Sequence, residues 1–346
     1  MRFRKSRSIT LAAAIAGLLS LALAAPAMAG KTIDAIKARG QLVCGVNTGL
    51  AGFSAADSQG NWTGLDVDVC KAVAAALLGD ATKIKWAPLN AQQRFTALQS
   101  GEVDVLSRNT TFTLTRDASL GLMSTTPTYY DGQGFLVAKK SKITSAKQLK
   151  NAEVCVQSGT TTEKNLNDYF KGLGIKIKPV VFEGFEASVK AFFSGRCQAY
   201  TTDASGLASI RNKEAKNPED FVILPELISK EPLGPMVRRG DEDFYTVVKW
   251  VVYALLEAEE YGITQANVDT MKSSTEPPVQ RILGTSEDTG KLLGLDKDWA
   301  YRAIKTVGNY GEIFERNVGP QSALKLPRGL NNQWNKGGLM YAMPIR

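Results

Sequence analysis

Val103-Asp104-Val105-Leu106-Ser107-Arg108-Asn109-Thr110-Thr111-Phe112-Thr113-Leu114-Thr115-Arg116 joins a short apolar run to a polar stretch that ends in one arginine. Val103 to Leu106 reads as a strand, and the hydroxyl-rich run Asn109 to Arg116 reads as the loop beyond it. Hydroxyls, free backbone N–H groups and a guanidinium converging at a strand's end suit a small carboxylate. The same residues also suit a surface loop whose arginine makes an ion pair, so the rest of the chain has to decide.

Working outward, strand signals at Leu42 to Val46, Val103 to Leu106, Phe135 to Ala138, Val154 to Val156 and Val180 to Phe182 alternate with helix signals. The helix signals cover Asp66 to Leu78, Ala91 to Ser100, Thr162 to Lys171 and Glu186 to Ser194. Alternation of this kind predicts an α/β fold built from βαβ units, with mainly parallel sheets flanked by helices. Right-handed crossovers then bring the loops at the strand C-termini to one edge, where ligands bind. The chain also echoes itself. Phe95 to Thr111 runs helix, Ser100-Gly101, strand, polar loop, and Val189 to Asp203 runs helix, Ser194-Gly195, strand, Thr201-Thr202-Asp203. Arg116 and Asp203 therefore follow corresponding strands in two halves, and opposite charges face a common cleft.

Two stretches look like crossings between the halves: 131–138, with Gly132 and Gly134, and 226–236, next to Pro225, Pro232, Gly234 and Pro235. The expected division is lobe 1 over 30–132 and 236–346 and lobe 2 over 138–226, each of ordinary domain size. Asp243 to Glu259 reads as an amphipathic helix after the return. Gly319 to Arg346, rich in Pro, Gly and Asn, is expected to wrap over lobe 1 as an irregular extension.

Residues 1–29 place Arg2, Arg4, Lys5 and Arg7 ahead of an apolar Leu/Ala run and end in Ala27-Met28-Ala29, the pattern of a cleaved secretory signal peptide. Its apolar core is short for a membrane anchor, so the mature chain is expected to be exported and not inserted in the membrane. Removing these four basic residues lowers the formal net charge from +8 to about +4. No lysine/arginine stripe interleaved with aromatics is present, so nucleic acid is not an expected partner. Cys44, Cys70, Cys155 and Cys197 in an exported chain predict disulfides. Of the three possible connectivities, Cys44 with Cys70 and Cys155 with Cys197 are preferred, because the helical face Cys70, Val73, Ala74, Leu77 should pack on the strand that carries Cys44. The chain has no histidine and no close cysteine spacing, so neither a metal site nor a cofactor is expected.

Gly64-Leu65-Asp66-Val67-Asp68-Val69, followed by Val73, Ala74 and Leu77, resembles the signature of the family 3 extracellular solute-binding proteins, the periplasmic amino-acid receptors of ABC importers. Asn109 to Arg116, Gln157-Ser158-Gly159-Thr160-Thr161-Thr162-Glu163 and Asp203 stand in that family's order and approximate spacing. The resemblance covers about 35–262 and a helix near Trp299 to Arg316. Trp250 to Thr264 and Gly308 to Glu312 are most similar to the family's general L-amino-acid receptors. The family implies the two-lobed periplasmic-binding-protein fold (Venus flytrap, type II), with two hinge crossings, closing on one amino acid.

Carried over residue by residue, the resemblance implies that Arg116 clamps the α-carboxylate. Thr111 would add its hydroxyl and N–H to that group, and Asn109 would offer a carbonyl to the α-ammonium. Thr160 and Thr161 would present N–H groups at a helix start, where Thr160 can also cap, and Asp203 would accept the ammonium. Asp66 and Asp68 read as a helix N-terminal cap and solvent face, and Phe53 as core or pocket wall. Asn47 stands where receptors for basic amino acids carry an acid, and Asn90-Ala91-Gln92 where many relatives carry an aromatic. Arg94 stands where glutamate/aspartate receptors can meet a side-chain carboxylate; it could equally be solvated. A broad range including glutamate, aspartate and glutamine fits these residues best.

The implied product is a monomeric periplasmic receptor that delivers L-amino acids to membrane-embedded ABC permease subunits and their ATPase. Two rivals share the scaffold: a dehydratase-like periplasmic enzyme, and a sensing subunit for a chemoreceptor or kinase. An enzyme needs a general acid or base over a reacting bond, and neither a histidine nor a Gly-x-Ser-x-Gly elbow is available.

Overall fold

The computed structural model describes residues 31–346, and the expected signal peptide lies outside them. Two five-stranded mixed sheets, each flanked by helices, carry the chain. In the first, Leu42–Val46 lies between Ile84–Pro88 and Val105–Leu106, parallel to both; Met236–Arg238 and Leu122–Ser124 then add antiparallel. In the second, Glu153–Gln157 lies between Lys178–Phe182 and Ala199–Asp203, again in parallel. Gln133–Ala138 and Phe221–Ile223 complete it, each antiparallel to its neighbour.

The expected parallel pairing thus holds for three strands of each sheet. Gln133–Ala138 and Met236–Arg238 run against those three because the chain reaches each of them through a crossing, not through a βαβ unit. Between the sheets, Tyr129–Asp131 pairs antiparallel with Glu231–Leu233 in a two-stranded ribbon. Gln133–Ala138, most of it read from sequence as a strand (Phe135 to Ala138) and all of it within the expected crossing 131–138, is an internal strand of the second sheet, and the ribbon falls just before it.

The largest core surrounds the first sheet. Helix Glu242–Glu260 buries Phe244, Val247, Val248, Val251, Val252, Leu255 and Leu256, the stripe that its periodicity predicts. Asp241 starts it, accepting the Phe244 N–H at 3.2 Å and, on its other oxygen, the Thr32 N–H at 3.1 Å. Helix Leu65–Leu78 is buried along most of its length between the sheet and the helices Glu242–Glu260 and Trp299–Val307. Gly64 enters this helix at φ 132°, and a Cβ there would lie 2.1 Å from the Phe53 carbonyl oxygen. Only glycine allows that approach.

Asp66 and Asp68 depart from the cap and solvent-face reading, because both are buried by this packing. Asp66 accepts the Asn109 N–H at 2.7 Å and so fixes the loop beyond Val105–Leu106. Asp68 is paired with Arg316 and Asn317, each at 2.7 Å. The helix expected near Trp299 to Arg316 is two helices, Trp299–Val307 and Tyr310–Asn317. Gly308 breaks them at φ 74°, and Asn309 and Glu312 form a capping box at the second start.

The extension beyond Gly319 contains only two short 3₁₀ turns and is pinned by side chains. Arg328 holds Glu259 through two contacts of 3.0 Å, and Gln333 donates to the Leu256 carbonyl at 3.2 Å. Asn331 takes both backbone groups of Tyr130, accepting its N–H at 2.6 Å and donating to its carbonyl at 3.1 Å. Asn212, beside the second sheet, donates to the Ala323 carbonyl at 3.1 Å. Among the described residues no helix is long and apolar enough to cross a membrane.

The preferred cysteine pairs are both formed. Cys44 on the buried strand bonds Cys70 on the helix above it, and Cys155 bonds Cys197, with sequence separations of 26 and 42. Loops of these lengths restrict the unfolded chain by about 3–4 kcal/mol each in the chain-entropy account. The double variant Cys155→Ala/Cys197→Ala is therefore expected to lose about 4 kcal/mol, read from the urea midpoint, with the first sheet's disulfide intact.

Candidate functional site

The C-terminal ends of the parallel strands open into one cleft between the sheets. Asn47, Arg94, Arg108, Asn109 and Thr111 line it from one side, and Gln157, Thr160, Thr161, Phe185 and Asp203 from the other. Asn109 sits at φ 35°, a left-handed backbone that asparagine tolerates better than most residues. Its side chain bridges the cleft, accepting from Asn47 Nδ2 at 3.0 Å and reaching Asp203 Oδ2 from its own Nδ2 at 3.4 Å. At the rim, Gln92 Nε2 donates to Ser158 Oγ at 3.0 Å. A Cβ on Gly159 would come within 2.9 Å of Gln92 Cγ, so glycine permits the two sides to close this far.

Three guanidinium groups are buried on the first side. Arg94, in the first turn of helix Gln93–Ser100, is 3% exposed. Burial, with Arg108 and Arg116 nearby, holds its proton affinity well below the arginine norm. Its Nη1 has only a 3.4 Å contact to Thr110, and its Nε has no partner among the described residues. Arg108 donates from Nε to the Leu89 carbonyl at 2.9 Å while its Nη2 is unpartnered, and burial lowers its pKa to about 10. Arg116 donates to the Thr111 carbonyl at 2.7 Å, and burial likewise brings it to about 10. Arg94 and Arg116 both approach the Phe95 ring, at 4.7 and 4.9 Å from its centroid, a favourable cation–π placement. Arg116 faces a recess that adjoins the cleft and shares Thr160 and Thr161 with it.

Carboxylates gather opposite. Asp203 stands at the start of helix Ala204–Glu214 but makes no capping bond with its side chain. Burial, with Asp131 and Glu231 close by, pushes its pKa well above the carboxylate norm. Asp131 is satisfied by the Ser205 hydroxyl and by the Gly132 N–H at 2.8 Å, and burial raises it to about 6. Asp203 is therefore the carboxylate with acceptor capacity to spare. Thr160 does cap helix Thr161–Gly172, accepting the Glu163 N–H at 3.1 Å, and still lines the cleft.

Two expectations shift here. Phe53 is core: it is 1% exposed, packs edge-on to Tyr129 at 5.3 Å and does not line the cleft. The Thr111 hydroxyl, expected to reach a ligand carboxylate, is directed at Glu231 Oε2, 2.6 Å away. Arg94 is buried on the cleft wall, which removes the solvated reading. Sequence reasoning missed Arg108 and Glu231. Arg108 sits one residue before the polar stretch, and Glu231 lies on the ribbon in a Pro/Gly-rich segment whose composition shows only a turn.

The sequence pattern of the bacterial extracellular solute-binding proteins, family 3, matches residues 42–267. The chain belongs to that family. Among family members, it is 58% identical over 338 residues to the general L-amino acid-binding periplasmic protein AapJ of Rhizobium johnstonii, covering 97% of this chain and 98% of that one. It is 54% identical over 326 residues to the glutamate/glutamine/aspartate/asparagine-binding protein BztA of Rhodobacter capsulatus, covering 94% and 96%. A solved ABC transporter periplasmic binding protein from Brucella ovis, with glutathione bound, superposes with a TM-score of 0.90 at 57% identity, covering 92% of this chain and all of that one.

A buried guanidinium with an unpartnered nitrogen is a standing cost in the folded chain. Arg94→Met keeps the volume and removes the charge, so it is expected to stabilise the empty protein by about 1–4 kcal/mol, read as a higher urea midpoint without ligand. A lower midpoint would show instead that Asp203 and Glu231 already balance Arg94.

Proposed function

We propose that this chain is an exported receptor that closes two lobes on one L-amino acid and hands it to membrane-embedded ABC permease subunits and their ATPase. One observation carries the reading. The buried guanidinium groups of Arg94 and Arg108 line the cleft on one side and Arg116 the adjoining recess, while across from them stands a buried Asp203 whose side chain has, among the described residues, a single 3.4 Å contact. A zwitterion offers a carboxylate to the guanidinium side and an ammonium to Asp203 at once, so the closed form is favoured when the ligand is present. The names of AapJ and BztA, periplasmic or amino-acid-binding, agree with this reading. Glutathione, bound in the Brucella ovis structure, carries an ammonium and a carboxylate on the same carbon at its γ-glutamyl end.

In this reading Arg116 and the N–H groups of Thr111, Thr160 and Thr161 hold the α-carboxylate, Asp203 takes the ammonium, and Asn109 lies between them. Arg94 meets a side-chain carboxylate or amide, which supports a broad range over glutamate, aspartate and glutamine. Lobe 1 is 30–132 with 236–346, lobe 2 is 138–226, and the ribbon Tyr129–Asp131 with Glu231–Leu233 forms the hinge. The chain works as a monomer in the periplasm after loss of residues 1–29. Turnover is not part of the reading, since the cleft's carboxylates serve charge recognition. Deletion of the gene is expected to lower uptake of labelled amino acids; unchanged uptake would favour a sensing partner.

Thermal shift and calorimetry against the twenty L-amino acids test the ligand class, because a ligand that binds the native state raises its stability. Several are expected to bind, and Arg116→Ala and Asp203→Ala each to abolish binding. Undiminished binding by Asp203→Ala would overturn the assignment.

Affinity should also depend on pH. An ammonium needs Asp203 ionised, and its raised pKa means that the empty protein holds a proton there at pH values where a free aspartate would not. Binding then releases that proton, so affinity is expected to rise with pH above the ordinary aspartate range. Calorimetry in buffers of different ionisation enthalpy reads the released proton directly.

A further inference from the structure

Behind the cleft wall, on the ribbon between the sheets, the side chain of Glu231 is 1% exposed and does not line the cleft. Four donors converge on it. Thr111 Oγ1 donates to its Oε2 at 2.6 Å from the first side, and Thr161 Oγ1 donates to the same oxygen at 2.8 Å from the second. Asn165 Nδ2 and Ser229 Oγ fill Oε1 at 2.8 and 2.6 Å. A carboxylate has about four lone-pair sites, so all four donors are accommodated by one ionised group.

A threonine hydroxyl has one proton. Once that proton points at Glu231, the oxygen can only accept on its remaining side. Thr111 and Thr161 both line the cleft, and their oxygens lie 3.3 Å apart, so two sets of lone pairs face the same small space. We propose that Glu231 is a specificity-determining positioning residue: by taking both hydroxyl protons it turns Thr111 and Thr161 into acceptors toward the ligand. They then favour a ligand N–H⁺, and a ligand oxygen brought to the same place meets lone pairs with no proton between. The ligand's carboxylate is left to the guanidinium groups and to backbone N–H groups.

Glu231 thereby acts without touching the ligand. It sets the sign of hydrogen bonding on both sides of the cleft from a ribbon that belongs to neither five-stranded sheet, and it enforces selection of amino acids over the corresponding 2-oxo acids. A 2-oxo acid has the same carboxylates but an oxygen where the amino acid has its ammonium. This inference rests on the amino-acid reading above and asks more of it.

Calorimetry with L-glutamate, and with 2-oxoglutarate as competitor, tests it. The unaltered chain is expected to prefer L-glutamate by at least about a hundredfold. In Glu231→Gln the amide oxygen keeps the place of Oε1, where Asn165 Nδ2 and Ser229 Oγ donate to it, and the amide NH₂ takes the place of Oε2 and donates to both threonines. Both hydroxyls then turn their protons into the cleft, and the preference is expected to fall at least tenfold. A purely structural role for Glu231 predicts that both affinities fall together with their ratio unchanged, and that result would overturn the proposal.

Thr161→Val gives an independent reading that does not require the ribbon to tolerate substitution. Loss of an acceptor should weaken L-glutamate at least tenfold more than 2-oxoglutarate. Equal losses would mean that Thr161 donates to the shared carboxylate, against the proposal. Should the unaltered chain bind no L-glutamate, the amino-acid reading fails for that ligand and this inference fails with it.

Discussion

Charge held out of water without a full set of partners governs this structure. Arg94, Arg108 and Arg116 are buried near one another with, among the described residues, backbone carbonyls, a threonine hydroxyl and one aromatic ring to receive their protons, while Asp203 stands across from them with a long contact to Asn109. Isolated ions in such a place are costly, and their mutual attraction repays the cost only when geometry and hydrogen bonding are complete. Here they are left incomplete, and the surrounding core must supply the difference. Helix Glu242–Glu260, helix Leu65–Leu78 and two disulfides provide a frame stiff enough to keep those charges in place. Asp66 illustrates how far the frame reaches: one buried carboxylate of a core helix sets the backbone of the loop that carries Asn109.

Much of this was legible in the residues themselves. The alternation of strands and helices gave the sheets, because apolar runs with turn residues between them report burial directly. The cysteine pairing followed from a strand and a helix that had to pack on each other. The echo between Phe95–Thr111 and Val189–Asp203 pointed to the shared edge where the parallel strands end: Asp203 lines the cleft there, and Arg116 faces the recess that adjoins it.

What escaped the sequence depends on contacts distant in the chain. Glu231 meets Thr111 and Thr161 across 120 and 70 residues, and no local pattern distinguishes a carboxylate that serves both from one that faces solvent. Phe53 has the composition of a pocket wall and the position of a core residue, and only the packing of Tyr129 against it decides between them. The antiparallel strands Gln133–Ala138 and Met236–Arg238 carry the same apolar signal as parallel ones, so their direction had to come from the crossings that feed them.

The side chain of Asn331 gives the ribbon a third partner. Its amide presents one donor and one acceptor to the free edge of Tyr130, in the manner of a residue on an adjacent strand. An open two-stranded edge is a template on which another chain can add its own strand. The extension from Gly319 onward therefore covers that edge as well as packing on the core. A chain shortened before Asn331 would expose that edge at the segment that joins the two halves, and neighbouring copies could pair there.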